Sequence, residues 1–206
     1  INERLGSPYH LVTDWSHLGF DRYREGVAVL SRYPILQHRA KYVSSSQDPY
    51  SIHSRKVVMA RIRVPYFGLL NVFSSHLSWW EDGFAEQFRN LRRWAAAEHD
   101  ELVAATMLCG DFNIKAGSKG YQLVVESKEY RDQYLSANSP KVFQQIFELG
   151  AACEPELDDD HRIDYVFLRK GSKLRVTSGR MVFTDQDYGR VSDHFGYLMS
   201  FEPGTQ

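Results

Sequence analysis

The chain has 206 residues, 43% of them hydrophobic, and a formal net charge of -1. That is apolar material for one substantial core, and the near-neutral charge leaves no electrostatic footprint for tight, sequence-blind nucleic-acid binding. No stretch approaches the ~20 apolar residues of a membrane span, and two cysteines, Cys109 and Cys153, do not make a disulfide framework.

Residues 1–19 are mixed and aromatic, with Tyr9, Trp15 and His17, and Leu11 and Val12 fit a short strand. Residues 26–31, G-V-A-V-L-S, predict a central strand. The segment Arg32, Tyr33, Pro34 breaks it, because Pro lacks the N–H a ladder needs. A short strand is expected over 42–46. Residues 57–64, V-V-M-A-R-I-R-V, alternate apolar residues with Arg in their second half, which predicts a strand with one wet face. A turn at 65–68 and a second apolar run at 69–75 complete a hairpin, with His76 at its end. Asp82 suits the N-cap of a helix whose Phe84, Phe88, Leu91 and Ala95 trace one apolar stripe. Arg89, Arg92 and Arg93 fall on its other faces, in solvent.

Residues 103–109 form an apolar run of strand length, in which Cys109 reads as a small buried hydrophobe. Gly110 permits a sharp turn. Asp111 and Asn113 follow, two apart, so an extended backbone points both side chains the same way. Either they bond their own backbone in a turn, or they orient an attacking water and hold an anionic oxygen. Beyond them a loop is expected over 116–120 and a short helix over 121–127. Phe143, Ile146 and Phe147 suit part of a small helix, and 154–160 an acidic loop. Strands are expected over 163–168, 174–183 and 195–201, with a polar stretch at 184–192.

Several polar residues therefore stand at strand ends or inside apolar strands: Ser75 and His76, Asp111 with Asn113, Asp164, and Ser192, Asp193 and His194. A buried carboxylate is costly unless paired. Asp164 accordingly wants a cation or strong donor, and a histidine would suit, held in place with raised proton affinity.

Taken in order, E-G-V-A-V-L-S-R-Y-P-I at 25–35, S-H-L at 75–77, G-D-F-N at 110–113, R-I-D-Y-V-F at 162–167 and S-D-H-F-G at 192–196 resemble the endonuclease/exonuclease/phosphatase superfamily over nearly the whole chain. The resemblance implies a deoxyribonuclease-like α/β fold, a four-layer α-β-β-α sandwich of two packed mixed β-sheets flanked by helices. It implies metal-dependent attack of water on a phosphate ester, with Mg²⁺, or Mn²⁺, as cofactor. Asp111 would activate the water, Asn113 bind a phosphate oxygen, and His194 stabilise charge with Asp164 as its partner. His76 would donate to the phosphate or to the leaving oxygen, and Asp193 would lie at or near the metal.

One departure stands out. The family's early strand ending in Asn and the later strand ending in a metal-binding Glu have no counterpart here, and neither Glu3 nor Glu25 takes that role. Since the chain opens at Ile1 on polar residues, the expectation is a single domain over 1–206, cut short at its N-terminus, that binds Mg²⁺ poorly.

S-H-L-S-W-W-E-D-G-F at 75–84 and H-S-R-K-V-V-M-A-R at 53–61 look most like bacterial sugar-phosphate phosphatases of the maltose 6'-phosphate phosphatase group. Trp79 and Trp80 could stack on a sugar, and Arg55 or Lys56 could meet its phosphate. Trp15 and His17 are weaker candidates for a rim loop. The expected partner is a small phosphorylated substrate, ahead of nucleic acid or a lipid headgroup, in a cytoplasmic setting with no obligate protein partner.

Overall fold

A computed structural model describes residues 4, 6, 8–138 and 162–204. Glu3, Cys153, the helix expected around Phe143, Ile146 and Phe147, and the acidic stretch 154–160 lie outside the described residues.

The frame is a six-stranded mixed sheet in the order β3-β4-β5-β6-β8-β7. Its strands are β3 Ile35–Tyr42, β4 Lys56–Val64, β5 Gly68–His76, β6 Val103–Asp111, β7 Tyr130–Asp132 and β8 Asp164–Arg169. Two antiparallel ladders stand apart from it: β1 His10–Gly19 with β2 Tyr23–Ser31, and β9 Leu174–Val182 with β10 Gly196–Pro203. Helix α1, Phe84–Ala97, bridges the parallel pair β5 and β6, and α2, Lys119–Glu126, and α3, Gln133–Ala137, follow.

Alternation along the strands divides the sheet into two faces. Phe73, Leu108, Tyr165 and Phe167 face the helices and pack on the α1 stripe of Phe84, Phe88, Leu91 and Ala95. The Phe84 and Phe88 rings stack at 6.0 Å, and Trp94 meets Phe73 edge-on at 5.0 Å. On the opposite face Val58, Ala60 and Ile62 pack with Val29 of β2, and Ala105, Met107 and Leu168 pack with Leu174 of β9. The molecule is thus an α/β sandwich: helices, the large sheet, then the two ladders side by side as a second β layer.

Four local expectations give way. Residues 26–31 belong to a two-stranded ladder, not a central strand, since among the described residues β2 pairs only with β1. The strand expected over 42–46 ends at Tyr42. Asp82 closes a 3₁₀ turn, Trp80–Asp82, and Gly83, at φ 100°, is the residue that caps α1. Arg92 is partly buried and lies 3.6 Å from Glu129 instead of standing free.

The G-D-F-N turn has a steric origin. Gly110 sits at φ 120°, and a Cβ there would lie 2.2 Å from the Ser75 carbonyl oxygen of β5. Since that obstacle is backbone, Gly110→Ala is expected to lower unfolding free energy by about 3 kcal/mol, read by chemical denaturation. A change below about 0.5 kcal/mol would show that the strand pair tolerates a side chain.

Candidate active site

The site is a consequence of register. In the β5/β6 pair His76 lies opposite Asp111, and in the β6/β8 pair Asp111 lies opposite Asp164. Three side chains from distant parts of the chain therefore form one row across neighbouring strands, on the face turned to the ladders. His76 Nε2 is 3.5 Å from Asp111 Oδ2. His194, just before β10, completes the row: its Nδ1 lies 2.6 Å from Asp164 Oδ2, which leaves Nε2 as its free ring nitrogen.

Burial sets the protonation states apart. Burial, with Arg55, His17 and His194 nearby, pushes His76 down to about 4. His194 moves the other way, above its ordinary value, because its ring N–H donates to the Asp164 carboxylate. At neutral pH the His76 imidazole is neutral, while His194 holds a proton more tightly than a free imidazole. Burial pushes Asp111 up to about 6, Asp164 adding to the rise while the Asn113 N–H, donating to Asp111 Oδ1 at 2.7 Å, opposes it.

Arg55 reaches the same place from the start of β4. Its Nε donates to Ser78 Oγ at 3.1 Å, and Ser78 is clamped by Gln87 of α1 through two bonds of 2.8 and 3.0 Å. Its terminal nitrogens stay available, and Asp111 and Glu25 are close enough to act on its charge. Lys56 is turned away, held by Asp14 at 3.3 Å and lying over the Tyr42 ring.

A cleft of about 400 Å³ adjoins Asn113, walled by Trp79, Trp80, Lys115 and Lys119. The indoles are 46% and 36% exposed, enough for a ligand to lie on them, although Trp80 also leans on Phe84 at 6.3 Å. Asn113 is itself buried, at φ 50°, and one Nδ2 hydrogen is committed to the Leu77 carbonyl at 2.8 Å, so its first task is to tie the turn to β5.

Asp193 is exposed, accepts from Ser192 Oγ at 3.0 Å and lies close enough to act on the charge of His194. One expectation does not hold in this geometry. Trp15 and His17 are not a rim loop but lie in β1, where a bulge between Trp15 and His17 buries Ser16 and His17 in succession. His17 bonds the Ser54 carbonyl and sits 3.3 Å from Glu25. Nothing in the sequence marks this pair, or the clamp of Ser78 and Gln87 on Arg55, as a site feature. Only the nearness of Glu25 to the G-V-A-V-L-S motif marked its position in sequence.

The profile of the endonuclease/exonuclease/phosphatase family matches residues 2–194. The chain belongs to that family. Among solved structures, a family protein from Leptotrichia buccalis superposes with TM-score 0.75 at 24% identity, over 95% of this chain and 72% of that one. A mannosyl-6-phosphatase from Bacteroides thetaiotaomicron gives 0.63 at 16% identity over 98% and 79%. The human Nocturnin catalytic domain gives 0.66 at 16% over 96% and 74%. These likenesses show the fold. No curated protein matches the chain.

Members of the endonuclease/exonuclease/phosphatase family are phosphoric ester hydrolases that generally depend on a divalent metal ion, and this chain is a phosphoesterase of that class. Among the described residues, no three His, Cys, Asp or Glu side chains converge as a set able to hold such an ion. The described carboxylates therefore do not by themselves complete a metal site.

The raised Asp111 value carries a stability consequence. Its proton binds more tightly in the folded chain than in the unfolded one, so the contribution is unfavourable above about pH 6 and disappears as pH falls through 4. Asp111→Asn keeps the acceptor for the Asn113 N–H and removes the charge. It is expected to be more stable than the parent by about 1–3 kcal/mol at pH 7, with the gap closing towards pH 4 in denaturant unfolding. A less stable variant at pH 7 would contradict this account.

Proposed function

We propose that the chain is a phosphomonoesterase acting on a sugar phosphate, in which Asp111 activates the attacking water. The observation that carries this reading is the row of His76, Asp111 and Asp164 capped by His194 at 2.6 Å. Asp111, near pH 6, is ionised at neutrality yet basic enough to accept a proton from water. His194, its proton affinity raised by Asp164, faces the charge that builds on the phosphoryl oxygens, and the fork of Arg55 grips two of them. Neutral His76 donates from Nε2 to a phosphate or leaving oxygen. Asn113 offers its remaining N–H to the phosphate.

The exposed faces of Trp79 and Trp80 beside a cleft of about 400 Å³ support a sugar-sized leaving group, since pockets of this size suit small molecules. The similarity to a mannosyl-6-phosphatase agrees with this choice. A phosphodiesterase acting on nucleic acid is the second reading. It draws on the arginine-aromatic pairs of the β1–β2 hairpin, Arg22 over Tyr23 and Arg24 over Trp15, which could stack with bases.

The ion we propose is Mg²⁺, with Mn²⁺ able to replace it, because the ligands on offer are carboxylate oxygens. With no full ligand set among the described residues, calorimetric titration of this chain with Mg²⁺ is expected not to saturate below the millimolar range. Micromolar, saturable binding would overturn that. No helix among the described residues is long and apolar enough to cross a membrane. We place the chain in the cytoplasm, where Cys109, pushed up to about 12 by burial, serves as a hydrophobe rather than a reactive thiol.

A panel of sugar phosphates and supercoiled DNA, assayed with Mg²⁺ well above the millimolar range for released phosphate and for nicking, decides between the two substrates. Phosphate release without nicking is expected, and the reverse would favour the second reading. Asp111→Asn should lower kcat by about 10³-fold or more and His194→Ala by about 10²–10³-fold, with the fold intact. Parent-like turnover in folded Asp111→Asn would refute the role assigned to that carboxylate.

A further inference from the structure

The far end of β8 carries a second concentration of positive charge. Asp164 opens the strand at the active site, and Arg169 ends it five residues on, roughly 17 Å away at about 3.3 Å per residue. There a pocket of about 300 Å³ lies between β7, α3, the turn after β8 and the start of β9. Arg131, Lys170, Ser172 and Arg175 line it, with Gln133 and Ser136, and no Asp or Glu does.

These cations are poorly compensated. Among the described residues no carboxylate pairs with Arg131 or Lys170, while Arg175 meets Glu202 at the exposed surface and Arg169 is drawn to Glu129 at 3.6 Å. The backbone N–H of Ser172 closes the turn onto the Arg169 carbonyl. Like charges gathered around one cavity are unfavourable. An anion with several acceptor oxygens relieves that repulsion. Guanidinium forks match phosphate oxygens in pairs, and a lysine adds a point charge.

We propose that this pocket is a second anion site that binds the phosphoryl group of a small phosphorylated molecule. The volume sits at the lower end of ligand-sized pockets, so it holds a phosphate with a small organic body and leaves a bare ion loosely packed. The proposal does not depend on the catalytic assignments, because it uses none of those residues.

The probes are inorganic phosphate and glucose 6-phosphate, titrated calorimetrically without metal into the parent, into Arg55→Ala, and into the double variant Arg131→Gln, Lys170→Gln. Both substituted cations are exposed, and matching melting temperatures confirm that the double variant folds. The expected result is saturable glucose 6-phosphate binding that survives Arg55→Ala and weakens at least tenfold in the double variant, with inorganic phosphate weaker. Binding that disappears in Arg55→Ala, or persists unchanged in the double variant, would overturn the site. Inorganic phosphate binding as tightly as the sugar phosphate would overturn the preference for an organic body.

Discussion

Two carboxylates held face to face set the terms for everything around them. Register places Asp111 of β6 directly opposite Asp164 of β8, on one face of the sheet. Like charges in that position repel, and their partial burial raises the cost. The chain does not separate them. It surrounds them with His194 on Asp164, His76 and Arg55 beside Asp111, and the Asn113 N–H on Asp111 Oδ1. A phosphoryl group and the ion that accompanies it would enter a site already divided into acceptors and donors.

Holding that arrangement is the task of the polar structure behind it. Arg162, two residues before Asp164, is buried against Asp132 at 2.6 Å and lies over the Tyr165 ring at 4.4 Å. The Tyr165 hydroxyl sits 2.8 Å from the carbonyls of both Arg162 and Ile114, and the Phe112 N–H donates to the Ile163 carbonyl. The start of β8 and the turn after β6 are thereby tied together. Asp132 also accepts from the Leu135 N–H as the N-cap of α3, so one carboxylate fixes a helix start and a buried arginine. Buried polar networks of this kind specify a geometry more than they add stability.

The sequence made the row legible and left its supports hidden, for a physical reason. His76, Asp111, Asp164 and His194 stand where an apolar strand stops or is interrupted, and a polar residue in that position is conspicuous. The fold followed from the same strands, together with the α1 stripe of Phe84, Phe88, Leu91 and Ala95. Arg55 was visible as a cation, but Ser78 and Gln87, which aim it, read as ordinary loop and helix residues. Their function exists only once α1 lies against the end of β5. The Glu25 and His17 pair depends on a bulge that alternation does not predict. β7 has three residues and α3 five, too few for a periodic pattern to rise above chance.

The two histidines show how little of the chemistry is intrinsic to residue type. One ends a strand of the large sheet and the other precedes β10, yet both would titrate near 6.5 in water. His76 is enclosed by other cations and by the floor of the site, so desolvation wins and it stays neutral. His194, with a similarly exposed side chain, holds a carboxylate at 2.6 Å, so attraction wins and its proton affinity rises. An imidazole of lowered and one of raised proton affinity thus stand at the two ends of the row, with Asp111, raised to about 6, between them. Hydrolysis of a phosphate ester calls for a base for water, a charge for the phosphoryl oxygens and a donor for the departing oxygen. Exchanging the environments of His76 and His194 would leave the residue list unchanged and reverse those two affinities, so the position of Asp164 on β8 decides which histidine holds its proton more tightly.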